Sequence, residues 1–99
     1  MKIDTAAIDN QVLITVEGDV DLYSSPELRE AVLKAVPASI EGVEVHLGDV
    51  SYMDSSGVAT LVEGLRSANE HGRRFILVAP SHAVTKVLKL ARVATPEPE

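Results

Sequence analysis

The sequence predicts one α/β domain with a mainly parallel sheet of about four strands. Strand-like and helix-like apolar patterns alternate after an opening hairpin, in the order ββαβαβα, and helical crossovers make the strands that they join parallel. The chain of 99 residues has the length of one domain, and 45% of its residues are hydrophobic, which suffices for one core. We expect the domain to span residues 1–94, followed by a disordered acidic tail, TPEPE, over residues 95–99.

The opening hairpin is predicted from residues 2–8 and 11–17. The second of these runs, QVLITVE, is rich in β-branched residues and places Val12, Ile14 and Val16 on one face of a strand. Asp9 and Asn10 between the runs are turn residues that tolerate a positive φ. Gly18 is expected to end the second strand.

The first helix is predicted over residues 26–36, where apolar side chains recur at helical spacing. Ser25 is expected to cap this helix, and Pro26 suits its first position. Pro37 is expected to end it. The next strand is predicted over residues 43–47, VEVHL, which alternate strictly.

A second amphipathic helix follows residues 48–57, which are expected to form the longest strand-to-helix loop. Gly72 is expected to end this helix in the left-handed conformation. Residues 75–79, FILVA, are continuously apolar and predict a strand covered on both faces. A third amphipathic helix follows, with apolar side chains up to Ala91.

Composition excludes several classes of function. The chain has no cysteine, which rules out a disulfide scaffold, a thiolate zinc site and a cysteine nucleophile. Its net charge of −6, without a cluster of Lys or Arg, argues against binding nucleic acid. No apolar run is long enough for membrane insertion and no signal peptide is visible, so we expect a cytoplasmic protein. No phosphate-binding glycine loop is present, and we expect no cofactor.

The four residues before the second helix, Asp54-Ser55-Ser56-Gly57, fit two interpretations. Asp54 or Ser55 can simply cap the helix. Alternatively, a phosphate on a serine here would meet free N–H groups and the positive end of the helix dipole, while Gly57 would let another protein approach closely. The residues alone leave both interpretations open, although simple capping is the more ordinary one.

A second candidate segment, residues 18–24 (GDVDLYS), leaves the second strand and enters the first helix. Right-handed crossovers place it at the same edge of the sheet as Ser55. Asp19 and Asp21 are either surface charges or binding groups. Tyr23 and Tyr52 either pack against the domain or, if exposed, anchor a protein interface.

Residues 18–21 (GDVD), the helix over 26–36 and residues 50–57 (VSYMDSSG) resemble the STAS domain of bacterial anti-sigma factor antagonists. Residues 80–88 (PSHAVTKVL) also look like the last helical region of that family. The resemblance covers roughly residues 10–93 and implies a STAS-like fold. Family members commonly add a final strand or helix, whereas this chain runs into TPEPE, which leaves a last edge element open.

The resemblance implies a protein-binding switch controlled by phosphorylation. Ser55, directly after the motif aspartate, corresponds to the family's phosphorylation site, and Ser56 is its neighbour. An anti-sigma factor that is also a serine kinase would bind the unphosphorylated form and release the phosphorylated one, and a phosphatase of the PP2C type would restore it. ATP and Mg²⁺ would belong to the kinase. The residues expected to contact the partner are Asp21, Leu22, Tyr23, Ser24, Asp54, Ser55, Ser56 and Gly57.

Two alternatives remain at this point. Some small STAS proteins resemble accessory subunits of phospholipid-transport ABC systems, which bind the ATPase. A hydrolase would need Ser55 to pair with a histidine, and the candidates are His46, His71 and His82. The Gly-x-Ser-x-Gly elbow is absent and the histidines are not spaced for a metal, so we expect no catalysis.

Overall fold

The computed structural model describes residues 1–90, so the predictions for Ala91, for a last edge element and for the tail over 95–99 lie outside the described part. The predicted order of strands and helices is confirmed. The elements are β1 (Lys2–Ile8), β2 (Gln11–Val20), α1 (Ser25–Ala38), β3 (Gly42–Met53), α2 (Ser55–His71), β4 (Arg74–Val78) and α3 (His82–Leu90).

The sheet is mainly parallel, as predicted. Its strand order is β1-β2-β3-β4. The pair β1–β2 is antiparallel and closes through a turn in which Asp9 has a φ of 57°, while β2–β3 and β3–β4 are parallel. Because neighbouring parallel strands end at the same edge, the segments that follow β2 and β3 are brought side by side.

The core lies between the helices and one face of the sheet. Along β2, alternate residues are buried, and those between them are half-buried or exposed. Leu13 and Glu44 lie on the face away from the core and are half-buried. The largest fully buried side chains come from β2, β3 and all three helices: Ile14, Leu28, Leu47, Leu88, Val16, Val20, Val32, Val36, Val43, Val45 and Val84.

The predicted long loop over residues 48–57 is wrong. β3 continues to Met53, and only Asp54 separates it from α2. The extension pairs with β2, which also continues past Gly18 to Val20, and the register shifts twice along this stretch. Both strands therefore continue beyond a glycine, Gly18 in β2 and Gly48 in β3, with an irregular register between them.

Two predictions for the ends of α1 are also wrong. Pro37 lies inside the helix, which ends at Ala38. A proline in the last turn removes only its own N–H, and the amide of Ser39 still donates to carbonyl groups of that turn. At the start, Ser24 is the N-cap residue, and the predicted cap, Ser25, is a buried residue of the first turn.

At the end of the sheet, one expectation is confirmed and one is wrong. Gly72 ends α2 with φ 69° and ψ 32°, the predicted left-handed cap. β4 is not covered on both faces: Phe75 is buried, but residues 76–78 are only half-buried. The reason is that β4 is an edge strand of a sheet whose helices pack on one face.

Among residues 1–90, no helix has both the length and the apolar composition needed to cross a membrane.

Candidate functional site

Two strand-to-helix connections meet at one edge of the sheet. Val20 and Met53 are partners in register at the ends of β2 and β3. The next residue on each strand is an aspartate, Asp21 and Asp54. The amide of Asp54 donates to the carbonyl oxygen of Val20 over 3.1 Å, so the predicted juxtaposition of the two segments is present.

The first connection is a tight turn closed by Asp21 and Ser24. Asp21 Oδ1 accepts from the amides of Tyr23 and Ser24, each over 3.0 Å. The Ser24 hydroxyl lies 3.1 Å from the same oxygen and 3.0 Å from the carbonyl oxygen of Asp19, and it accepts from the Asp21 amide over 2.9 Å. The turn therefore satisfies its own polar groups and does not need a partner to be ordered.

The pKa of Asp21 is lowered, first by the backbone amide of Ser24, and further by the Ser24 hydroxyl and the Tyr23 amide. The charge of Asp54 acts weakly in the opposite direction on this pKa. This edge therefore carries two ionised carboxylates at neutral pH.

The second connection is the N-cap of α2, which is Asp54. Its Oδ1 accepts from the Ser56 amide over 2.9 Å and from the Gly57 amide over 3.4 Å. The Ser56 hydroxyl also donates to this oxygen, over 2.5 Å. The pKa of Asp54 is lowered, chiefly by the Ser56 hydroxyl, with smaller contributions from the backbone amides of Ser56 and Gly57.

Ser55 and Ser56 differ in their surroundings although they are neighbours. Ser55 is the first residue of α2 and its side chain is exposed. Within residues 1–90, Ser55 Oγ has no hydrogen-bond partner. Ser56 is half-buried, and both its amide and its hydroxyl are bound to Asp54. Of the two hydroxyl groups, that of Ser55 faces solvent unengaged.

The expected reason for Gly57 is wrong. Gly57 is buried, and the place of its missing Cβ points at Met53 and Val20, not at solvent. The glycine lets α2 approach the ends of β2 and β3; it does not leave room for another protein. Gly57 therefore contributes to the site by packing and not by direct contact with a partner.

Exposed apolar side chains flank the serine, and we call Leu22, Tyr23 and Tyr52 the apolar rim. Tyr23 is 91% exposed, Leu22 66% and Tyr52 51%. Tyr52 was not among the predicted contact residues, although its residue type pointed to a protein interface. Tyr52 was missed because the predicted strand ended at residue 47. In the structure Tyr52 belongs to β3, where it is exposed and pairs with Asp19 of β2.

Two of the three candidate histidines are engaged elsewhere and form no catalytic group with Ser55. His46 lies in the middle of β3 and contacts Glu44 over 3.3 Å, and His71 lies at the far end of α2 against the carbonyl oxygen of Ser67. Within the described residues, no three side chains of the types that bind metals come together in a metal-binding arrangement.

Comparison with known proteins identifies the family. A family model described as "Mlab, STAS domain" matches residues 3–95. The anti-sigma-B factor antagonist of Bacillus subtilis is 34% identical over 74 residues, which cover 73% of this chain and 65% of the relative. That of Staphylococcus epidermidis is 28% identical over 90 residues, covering 91% of this chain and 83% of the relative.

Among solved structures, the anti-sigma factor antagonist SpoIIAA in its unphosphorylated form matches with a TM-score of 0.80 at 23% identity, over 93% of this chain and 82% of that one. The phosphorylated form of the Bacillus SpoIIAA matches with a TM-score of 0.75 at 23% identity, over 91% and 83%. The chain belongs to the STAS domain family, which confirms the resemblance and the STAS-like fold predicted from its residues.

Proposed function

We propose that the chain is an anti-sigma factor antagonist whose binding is switched by phosphorylation of Ser55. The observation that carries the proposal is the exposed, unengaged hydroxyl of Ser55 at the first position of α2, between two self-contained acidic turns. Such a hydroxyl can receive a phosphate without breaking an internal contact. The rigid turns on either side keep the surrounding surface the same in both states.

The switch acts through charge. Asp54 already occupies the amides of Ser56 and Gly57, so the free N–H groups expected to receive a phosphate are largely taken. A phosphate on Ser55 adds roughly −1.5 to −2 charges beside the ionised Asp54 and Asp21. A partner that covers this edge removes water from these groups, which strengthens their mutual repulsion. The phosphorylated form is therefore released.

The apolar rim supplies the attraction. Tyrosine side chains give a large contact area at a low entropic cost and are frequent hot spots of interfaces, and Leu22 adds apolar area beside them. Unphosphorylated Ser55 is a small neutral residue between them. The proposed contact surface keeps the residues predicted from the resemblance, with Tyr52 added to them and Gly57 acting only through packing.

The named relatives support this role. The Bacillus and Staphylococcus proteins are named anti-sigma-B factor antagonists, and SpoIIAA exists in phosphorylated and unphosphorylated forms. These names favour the antagonist over the accessory subunit of an ABC system. The proposed partner is an anti-sigma factor that is also a serine kinase, with a PP2C-type phosphatase for the reverse step. The chain would act in the cytoplasm, as one domain over residues 1–94, and perform no catalysis itself.

The test begins with a pull-down of the unphosphorylated chain from a lysate of its native cells. The anti-sigma factor recovered in this way is then incubated with the chain, ATP and Mg²⁺, and the modified residue is located by tandem mass spectrometry. We expect label on Ser55 of the wild type, none on Ser55→Ala, and wild-type label on the control Ser51→Ala, which removes another exposed hydroxyl from β3. Failure to recover an anti-sigma factor, or label elsewhere than Ser55, would refute the proposal.

A further inference from the structure

We propose that Asp54 selects Ser55 over Ser56 as the phosphate acceptor by holding the Ser56 hydroxyl group. The selection presupposes the phosphorylation switch proposed above. Two adjacent serines carry the same nucleophile, so a kinase that docks on this edge meets both hydroxyl groups. The contacts around Asp54 make them unequal before any kinase arrives.

Ser56 is held by both of its hydrogen-bond donors. Its hydroxyl donates to Asp54 Oδ1 over 2.5 Å and its amide donates to the same oxygen over 2.9 Å. Hydrogen bonds from a hydroxyl to a carboxylate are short and about twice as strong as bonds between neutral groups. To react, Ser56 would have to break this bond and turn a half-buried side chain outwards.

Ser55 has neither restraint. In the transfer, Ser55 Oγ attacks the γ-phosphorus of ATP, its proton passes to a base on the kinase, and the bond to the leaving ADP breaks. The oxygen must present a lone pair to phosphorus and its proton to that base. An exposed hydroxyl without an internal partner can adopt this orientation at no cost to the fold.

The same contact could in principle make Asp54 a base that activates Ser56. The electrostatics argue against this role. Asp54 Oδ1 accepts from the Ser56 hydroxyl and from the amides of Ser56 and Gly57, and these bonds lower its pKa and make it a poor proton acceptor. Asp54 is thus a positioning residue that retains the Ser56 proton.

The test replaces the acceptor oxygen while keeping the helix cap. Asp54→Gly is the main variant because glycine is a good N-cap residue without a side-chain acceptor, and Asp54→Ala is its companion. Asp54→Asn is the matched control, since it removes the charge but keeps an oxygen that can accept from Ser56. Melting curves establish that each variant is folded at the assay temperature.

Each variant is phosphorylated by the recovered anti-sigma factor with ATP, and the share of label on each serine is measured by tandem mass spectrometry. This share does not depend on the overall rate. We expect the Ser56 share to rise by about tenfold or more in Asp54→Gly, the factor that a hydrogen bond to a charged group represents, and to return towards zero in Asp54→Asn. In a Ser55→Ala background, label should appear on Ser56 only when Asp54→Gly is also present.

The remaining outcomes are distinct. Label confined to Ser55 in Asp54→Gly and Asp54→Ala would overturn the selection while leaving the switch intact. Loss of all label from both variants would also overturn it, because Asp54 would then be required for phosphorylation itself and not for the choice between the two serines. Wild-type label on Ser56, or no label at all, would remove the proposed function and the selection together.

Discussion

Gly57 of α2 packs so closely against Met53 of β3 that a Cβ on residue 57 would lie 2.6 Å from Met53 Cγ. The same Cβ would lie 2.9 Å from a methyl carbon of Val20, at the end of β2. Real Cβ atoms do not approach other atoms so closely. The absence of a side chain at residue 57 therefore sets the height of the first turn of α2 above the sheet, and with it the position of Ser55.

We therefore expect Gly57→Ala to destabilise the domain. Because both contacts would be shorter than 3.0 Å, the overpacking should cost about 2–3 kcal/mol, which exceeds the gain in helix propensity of about 1 kcal/mol, so urea denaturation should show a net loss of about 1–2 kcal/mol. The Met53 side chain can move aside, but the branched Val20 is fixed in the core. Gly48→Ala is the control with the milder approach, because its Cβ would lie 3.3 Å from the carbonyl oxygen of Ala79, which needs a shift of only a few tenths of an ångström. Equal midpoints for the two variants would contradict this account of the packing.

The apolar rim predicts a separation of binding from stability. Tyr23 is 91% exposed, so Tyr23→Ala should leave the free energy of unfolding within about 0.5 kcal/mol of the wild type. Its affinity for the recovered anti-sigma factor should fall by about 30-fold, the effect of losing a hot spot of about 2 kcal/mol. Calorimetric titration measures this loss.

Ile40→Ala is the control for the rim. Ile40 is 68% exposed but lies just before β3, at the opposite edge of the sheet from Ser55. Its truncation also removes exposed apolar surface and should leave the affinity unchanged. An equal loss of affinity in both variants would place the interface elsewhere.

The sequence predicted the elements whose signals are local. The left-handed Asp9 and Gly72 are fixed by the turn and cap that contain them, and both were predicted from residue type. Residues 48–53 were missed because their strand depends on a distant partner. The register shifts opposite β2 leave two exposed residues between buried ones, at Val50 and again at Met53, so the period of two that marks a strand is lost.

The site shows a similar limit. The motif over residues 54–57 was recognised in the sequence, but the residue types alone did not decide whether Asp54 or Ser55 caps α2. Capping by Asp54 depends on the orientation of its side chain towards the amides of Ser56 and Gly57, which residue type alone does not fix. Helix capping and phosphorylation, the two interpretations of the motif, are compatible, because capping by Asp54 leaves the Ser55 hydroxyl without an internal partner.

The lowered pKa values of Asp21, Asp54 and Glu63 predict how stability depends on pH. Hydrogen bonds from Ser24 to Asp21, from Ser56 to Asp54 and from Arg29 to Glu63 are the largest causes. A carboxyl group whose pKa is lower in the folded state stabilises the fold above its unfolded pKa, and this contribution is lost as pH falls through the folded pKa. The free energy of unfolding should therefore decline as pH falls below about 4.5.

Asp54→Asn isolates one contribution to this decline. It keeps a side-chain acceptor for Ser56 but removes the titrating group, so stability should fall less steeply with acid than in the wild type. Urea midpoints measured at several pH values give the slope. Asp4→Asn, which removes the same charge from exposed β1, reports the effect of net charge alone. A decline in Asp54→Asn that runs parallel to the wild type would show that this capping bond does not depend on ionisation.

Substitution of Ser55 itself distinguishes a switch that works by charge from one that works by shape. Ser55→Asp and Ser55→Asn place side chains of nearly the same size on the exposed first residue of α2, and only the first adds a negative charge beside Asp54. We expect the affinity for the anti-sigma factor to fall at least about tenfold in Ser55→Asp, through repulsion and desolvation, and clearly less in Ser55→Asn. Both variants should unfold at nearly the wild-type urea concentration because the side chain is exposed. Equal losses of affinity would instead mean that the partner rejects any larger residue at this position, and that the phosphate acts by its bulk.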